Sequence, residues 1–239
     1  MNRIDFHAHI LPGIDDGAAS IIESLCLLKM LKEDGVDTVV ATPHLYLHRD
    51  SVNGFFRKRE KSAQILAEAM KDNQGDYPKI VLGAEVYFTD GLNSLPLKEL
   101  CIAGTDYLML ELPYNPFSSM FMNSFANFLN YCEVKIILAH VERYFDFNEA
   151  ERVADILNYG LMAQGNCDSV VSARSRKATL GLIRNGDIKL LGTDLHSIDR
   201  RPPRFADAER IIRNKLSDGA FENMMKTAEM ILNGDSEKT

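Results

Sequence analysis

Seven short apolar runs, at residues 3–6, 36–41, 80–83, 107–110, 134–139, 161–163 and 188–191, recur along this 239-residue chain and alternate with amphipathic stretches. Several are continuous in Val, Ile and Leu, the composition of strands buried on both faces of a parallel sheet. The stretches between them carry helix signals. Ser20 with Glu23 reads as a capping box opening a helix through about Asp34, and Gly35 is placed to end it. Asp146 with Glu149 is expected to open another, closed just past its end by Gly160. Further helices are expected over 55–71, 117–131, 175–184, 205–216 and 221–232. Alternating strand and helix units predict an α/β fold with a parallel sheet, and about seven of them predict closure into a TIM-like barrel. A doubly wound open sheet is the alternative, though no GxGxxG follows the first run. With no repeat, linker or low-complexity stretch, residues 1–239 are expected to form a single domain, a size such barrels reach as one unit.

The chemistry stands at the C-terminal ends of the runs. The first leads into Asp5-Phe6-His7-Ala8-His9, the second into Thr42-Pro43-His44 and the third into Gly83-Ala84-Glu85. The fourth ends in Leu110-Glu111, the fifth in Ala139-His140, and the seventh delivers Gly192-Thr193-Asp194-Leu195-His196. In a parallel barrel these ends share one rim, where the catalytic residues of such folds sit. Five of the six histidines fall there, and only His48 does not. His7 with His9, and Asp194 with His196, are two apart, so each pair points to one face of an extended strand. Imidazoles mixed with carboxylates suit manganese, iron or zinc rather than calcium or magnesium alone. Nine candidate ligands result: His7, His9, His44, His140, His196, Glu85, Glu111, Asp194 and one of Asp15 and Asp16. That number is enough for two or three ions, with Glu85 or Glu111 as a bridge. Any one of them alone reads as an ordinary loop residue. Six strand ends agreeing carry the inference, because burying so many ionisable groups together without a cation is costly.

Charge and cysteine usage narrow the partners. The formal net charge of −7, from 27 Lys and Arg against 34 Asp and Glu, argues against a nucleic-acid-binding face. The four cysteines are far apart and form no CxxC pair, which suits a reducing cytoplasm, and no CxxxxxR phosphate loop is present. Asp5 stands where a signal peptide would need its apolar core, and no run approaches the ~18 apolar residues of a membrane helix. A cytoplasmic protein without membrane insertion is therefore expected. Arg143, three residues after His140, and Arg201, five after His196, are expected at the same rim, where a planar guanidinium fork matches phosphate oxygens bidentately. Arg57-Lys58-Arg59 reads as the solvated face of a helix. Tyr114 and Phe117 could frame an aromatic substrate, although an aromatic in a loop is more often packing.

The motifs HAHILPGIDDG (7–17), ATPH (41–44), GAE (83–85), LEL (110–112), AHVERY (139–144) and TDLHSIDRRPP (193–203) resemble the PHP family, named for polymerase and histidinol phosphatase. More narrowly they resemble the manganese-dependent protein tyrosine phosphatases encoded with bacterial capsule and exopolysaccharide genes. The resemblance implies a distorted (β/α)7 barrel and a trinuclear site. By motif, His7, His9, Glu85 and Asp194 would hold one ion, Glu85, Glu111 and His140 a second, and Asp16, His44 and His196 a third. Asp16 rather than Asp15 matches, because it directly precedes the glycine of the DDG motif. Arg143 and Arg201 match the family's phosphate-binding arginines. The implied cofactor is manganese, with iron, zinc, magnesium or cobalt as substitutes, and the implied partner is a phosphotyrosine protein, a bacterial tyrosine kinase. Residues 45–56 depart from the short Gly- and Asn-containing stretch expected there, which bears on substrate preference more than on chemistry. A metal-bound water and Asp199 are the candidates for donating a proton to the leaving group. A histidinol phosphatase or a nuclease would share the cluster, and the acidic balance counts against the nuclease. A C–N hydrolase would leave the arginines without a purpose, and a silent binding module would be expected to have lost a ligand. On this reading Arg201→Ala mainly raises the Michaelis constant, with metal content intact.

Overall fold

Every apolar run becomes a strand, and two of the runs are interrupted just where their polar residues begin. The computed structural model describes residues 1–73 and 75–234, so the domain expected over 1–239 includes positions outside the described residues. The strands are β1 (Ile4–Ala8), β2 (Thr38–Ala41), β3 (His44–Leu45), β4 (Lys79–Leu82), β5 (Glu85–Tyr87), β6 (Tyr107–Glu111), β7 (Lys135–Leu138), β8 (Met162–Asn166) and β9 (Leu190–Gly192). The helices are α1 (Ile21–Glu33), α2 (Val52–Asn73), α3 (Leu97–Leu100), α4 (Ser119–Tyr131), α5 (Ala150–Leu157), α6 (Cys167–Val171), α7 (Arg176–Asn185), α8 (Phe205–Lys215) and α9 (Asp218–Leu232). Named strands pair only in parallel, in the orders β1-β2-β4 and β3-β5-β6-β7-β8-β9. The result is a mixed α/β fold around a curled parallel sheet.

Pro43 separates β2 from β3 because it has no N–H to give the ladder, and Gly83-Ala84 separates β4 from β5. Hydrogen bonds span both gaps, from Gly83 N to Ala41 O (2.8 Å) and from Glu85 N to Pro43 O (3.0 Å). At the other side of the sheet Ala8 bridges Leu195 in parallel, with His9 N donating to Leu195 O at 3.0 Å. Ile4, Phe6, Val40, Met109, Ile137 and Leu190 meet in an inner apolar cluster that Ala228 and Ile231 of α9 close from one end. A second, larger cluster lies between strands and helices.

The first strand does not keep strict alternation. Ile4 and Phe6 belong to the inner cluster but Ala8 belongs to the outer one, and the β1–β2 register shifts between Asp5 and Ala8. Such a bulge re-aims side chains, and here it sends His7 and His9 to the polar end above Phe6.

Helix starts were only partly legible. Ser20 caps α1 by accepting from Glu23 N (3.2 Å), although Glu23 reaches back to Ala19 N (3.0 Å) rather than to Ser20. Asp146 opens nothing: it ends a 3-10 turn, Val141–Asp146, and α5 begins at Ala150 with no side-chain cap. Arg59 is not solvated as its basic neighbours suggest. It is buried, donates to Gly83 O (3.1 Å) and lies over the Phe55 and Phe56 rings. No helix among the described residues is long and apolar enough to cross a membrane.

Candidate metal centre

Hydrogen bonding fixes where the histidine lone pairs point. The His140 backbone N–H donates to Gln164 Oε1 at 2.9 Å, so that atom is an acceptor and His7 Nδ1, 3.0 Å away, must be its second donor. His7 Nε2 therefore carries a lone pair. His9 Nδ1 donates to Asp15 Oδ2 at 2.8 Å, which leaves its Nε2 a lone pair as well. In the neutral imidazoles these two nitrogens face each other, at 3.1 Å, as two lone pairs. Glu85 Oε2 lies 3.2 Å and 3.3 Å from them, and Asp194 Oδ1 3.6 Å and 3.4 Å. Four ligands about 2.1 Å from one tetrahedral ion stand about 3.4 Å apart. Four potential ligand atoms at these spacings, all buried, fit a divalent cation.

Two further groups share ligands with the first. Glu85 Oε1 is 2.8 Å from His140 Nε2, and Glu111 Oε1 is 3.6 Å from the same nitrogen. His44 Nδ1 sits 3.0 Å from Glu85 Oε2 without hydrogen-bond geometry and is a buried nitrogen lacking a partner. Asp16 Oδ1 is 3.5 Å from both His44 Nε2 and His196 Nε2. His196 Nδ1 donates to Asp194 O (2.9 Å), so its Nε2 also faces outward as an acceptor. Ligand atoms of His9, Asp16, His44 and His196 lie within 4.8 Å of one another, as do those of His7, His9 and Glu85, and those of His44, Glu85 and Glu111. The two aspartates left open by the residues alone thus separate: Asp15 is buried and orients His9, whereas Asp16 is largely exposed and faces two imidazoles.

The electrostatics agree with cation binding. Burial opposes charge on His7, but Glu85 and Asp194 outweigh it and raise the imidazole's proton affinity. Burial likewise pushes Glu85 up, yet His7 and His44 bring it well below the usual carboxylate range. Burial and the charge of Glu85 push Glu111 up to about 7, the mark of two carboxylates competing for one positive charge. Burial lowers His140 to about 4, leaving it a neutral imidazole able to ligate.

Both arginines reach the rim. Arg143 Nη2 pairs with Asp194 Oδ2 at 2.7 Å, and Arg201 pairs with the same oxygen through Nη2. Each guanidinium side chain is about a third exposed (34% and 37%), so both forks face the mouth of the cluster. Arg201 returns over the site because His196 N donates to Arg201 O (3.1 Å) in a short loop stiffened by Pro202 and Pro203. Arg143 sits in the 3-10 turn that Glu142 pins, accepting from Asn166 N (3.0 Å) and Ser169 Oγ (2.7 Å). His140 and Asp194 hold φ of +33° and +52°, the only non-glycine residues at positive φ among the described residues. Strain of this kind persists where surrounding bonds over-determine it, and it clusters at functional sites. Of the two aromatics named from sequence, Phe117 packs against Phe121 at 4.6 Å, while the Tyr114 hydroxyl lies 3.1 Å from His140. Asp199 is exposed in the loop after His196.

Residues 3–233 match the family model described as capsular polysaccharide synthesis, CpsB/CapC. The chain belongs to the CpsB/CapC family. The tyrosine-protein phosphatase CpsB of Streptococcus agalactiae serotype III (strain NEM316) is 27% identical over 245 residues, 96% of this chain and 98% of that protein. Among solved structures, crystal structures of YwqE from Bacillus subtilis and CpsB from Streptococcus pneumoniae, metal-dependent tyrosine phosphatases, include one that superposes with a TM-score of 0.81 at 21% identity, covering 96% of this chain and 94% of that one. The histidinol phosphate phosphatase of Lactococcus lactis is a more distant fold neighbour, with a TM-score of 0.56 at 12% identity, covering 89% of this chain and 93% of that one.

Three supports of this CpsB/CapC site were missed in the sequence. Asp5 is buried and accepts from Thr193 N (2.8 Å) and Oγ1 (2.6 Å), tying the first strand to the segment carrying Asp194. Gln164 and Asn166 lie two apart at the end of β8, on one face like the His-x-His pair. Gln164 Nε2 donates to Asn166 Oδ1 (2.9 Å), and Asn166 Nδ2 donates to Asp194 Oδ2 (2.8 Å). A Gln-x-Asn pair after an apolar run was the available signal. Gln164→Leu is expected to weaken metal binding about 10–100-fold, since it frees His7 from its tautomer, while secondary structure is retained. A metal titration with unchanged affinity would refute that role.

Proposed function

We propose that this chain is a metal-dependent protein tyrosine phosphatase acting on a bacterial tyrosine kinase of polysaccharide synthesis, in the cytoplasm. The observation carrying the reading is one cluster of inward-facing lone pairs with two arginine forks at its mouth. The names of the CpsB relatives support the choice of phosphotyrosine over histidinol phosphate. His7, His9, Glu85 and Asp194 are assigned to one ion, Glu85, Glu111 and His140 to a second, and Asp16, His44 and His196 to a third. Manganese is the proposed metal, with iron, zinc, magnesium or cobalt as substitutes. Divalent ions in such a site supply charge neutralisation and a deprotonated nucleophile at neutral pH. Arg143 and Arg201 bind the non-bridging phosphate oxygens, and their charge stabilises what develops there during in-line displacement. Asn166, donating to Asp194, holds that carboxylate toward the imidazoles.

The same reading takes 1–239 as one domain and the two ladders as one distorted (β/α)7 barrel. Two facts support the closure. Leu82 pairs with Ala41 and Glu85 with His44, both 41 positions apart, so the register runs unbroken across the gap. The Ala8–Leu195 bridge joins the first strand to the segment after the last.

The test is phosphate release from a phosphotyrosine peptide, with a phosphoserine peptide and histidinol phosphate alongside, each with added manganese and after chelation. Manganese-dependent release from phosphotyrosine alone is expected; release from histidinol phosphate alone overturns the substrate assignment. Arg143→Ala is expected to raise KM, lowering kcat/KM by roughly 10–100-fold with metal content unchanged, as loss of a charged hydrogen bond costs. Arg201→Ala departs from the simpler expectation from sequence. Only Arg201 also donates to a proposed ligand nitrogen, from Nη1 to His196 Nε2 (3.1 Å), so its removal frees that lone pair and is expected to tighten metal binding at the third site. Identical metal affinity in the two variants refutes this distinction.

A further inference from the structure

The mouth of the cluster has two unlike sectors. The cationic one is Arg143 and Arg201 on Asp194. The other is aromatic, and Tyr46 in it belongs to the stretch that departs from the family pattern. Leu45 is buried in the outer core, and Tyr46, the first residue past β3, lies beside His44 at the site. Its hydroxyl donates to Glu111 Oε2 at 3.3 Å, and its ring stands 4.9 Å from that of His44. Tyr87, at the end of β5 and in register with Glu111, stands 5.4 Å from the Tyr46 ring at 47°. Arg49 lies over the Tyr46 ring at 5.1 Å and braces it. Both tyrosines are half-buried.

We propose that Tyr46 and Tyr87 form an aryl-binding wall that selects aromatic over aliphatic phosphomonoesters. The inference rests on the phosphatase reading. Aromatic pairs gain most at offset or edge contacts with centroids 4.5–7 Å apart, and a phenyl group whose phosphate is held by the arginines can lie against these rings. The side chain of phosphoserine has only one carbon beyond its Cα, too short to lay comparable surface on the wall. Tyr46 acts here as a specificity-determining residue; the arginines hold the group common to both substrate classes.

The experiment measures competitive inhibition by phenylphosphonate and methylphosphonate in the manganese-loaded enzyme, its Tyr46→Phe variant and its Tyr46→Leu variant, with metal content determined for each. Tyr46→Leu is expected to weaken phenylphosphonate about tenfold and leave methylphosphonate unchanged, while Tyr46→Phe keeps the preference. Equal weakening of both inhibitors in Tyr46→Leu overturns the wall, as does a Phe variant as impaired as Leu, which would transfer the effect to the hydroxyl on Glu111. Equal inhibition of the unaltered enzyme by both phosphonates also overturns it. Phosphotyrosine hydrolysis is followed in parallel: its presence beside any of those results leaves the phosphatase reading standing, and its absence overturns both.

Discussion

Glu85→Gln is expected to empty the CpsB/CapC site of metal and lower phosphotyrosine hydrolysis by at least about a hundredfold. No other candidate ligand faces as many imidazoles. One carboxylate oxygen faces His7, His9 and His44 at 3.2, 3.3 and 3.0 Å, and the other faces His140 at 2.8 Å. Gln has the same shape but loses the charge, and one of its two ends becomes an NH2 donor. That donor must point either at His140 or at the His7–His9–His44 side, and it occupies the space where a cation would bind. The fold should survive, because removing the Glu85 charge also relieves the repulsion that helps push Glu111 up to about 7. Metal analysis after dialysis, paired with phosphate release and a far-ultraviolet circular dichroism spectrum, decides the matter. Full metal content at a normal rate would show that Glu85 is not a ligand.

Chelation is expected to lower the melting temperature by about 8–16 °C. A ligand present at a thousand times its dissociation constant stabilises the folded state by about 4.1 kcal/mol, and a domain of this size shifts by about 2–4 °C per kcal/mol. The magnitude is plausible for this site in particular, because its ligands are brought together by strands distant in sequence. Unfolding separates His7 from Asp194 and Glu85 from His140, so the unfolded chain offers no comparable site. Melting curves with excess manganese and with a chelator measure the shift. A difference below about 2 °C at saturating metal would mean that the cluster binds ions too weakly to organise the site.

The convergence of the candidate ligands was legible in the sequence because a parallel sheet turns position along a run into position in space. His7, His44, Glu85, Glu111, His140 and Asp194 each end a run, and ends of parallel strands converge whatever the loops between them do. What was not legible depends on contacts between residues that no local pattern joins. Gln164 becomes meaningful only once its amide oxygen meets both His7 and the His140 backbone. Asp5 looks like any acid beside an HxH pair until Thr193 is beside it. Arg59 sits between two other basic residues and is told apart only by the Gly83 carbonyl it reaches. Asp146 carries a sound capping signal, but the 3-10 turn begun at His140 had already claimed that residue. The interruptions between β2 and β3 and between β4 and β5 were hidden because the apolar runs stop at Ala41 and Gly83, so nothing in them shows that pairing resumes at His44 and Glu85.

The first strand meets the segment after the last one through Asp194 N–His7 O at 2.7 Å and His9 N–Leu195 O at 3.0 Å. This closure has a consequence for the protein's biosynthesis. His7 and His9 leave the ribosome first among the ligands, while Asp194 and His196 leave last, about 10–40 seconds later at about 5–20 residues per second. Through that interval the nascent chain has two adjacent imidazoles and no carboxylate from the far end to complete their set. On the proposed assignment the first and third ions' ligand sets are completed only when Asp194 and His196 emerge, and a truncated product ending before Asp194 lacks both sets.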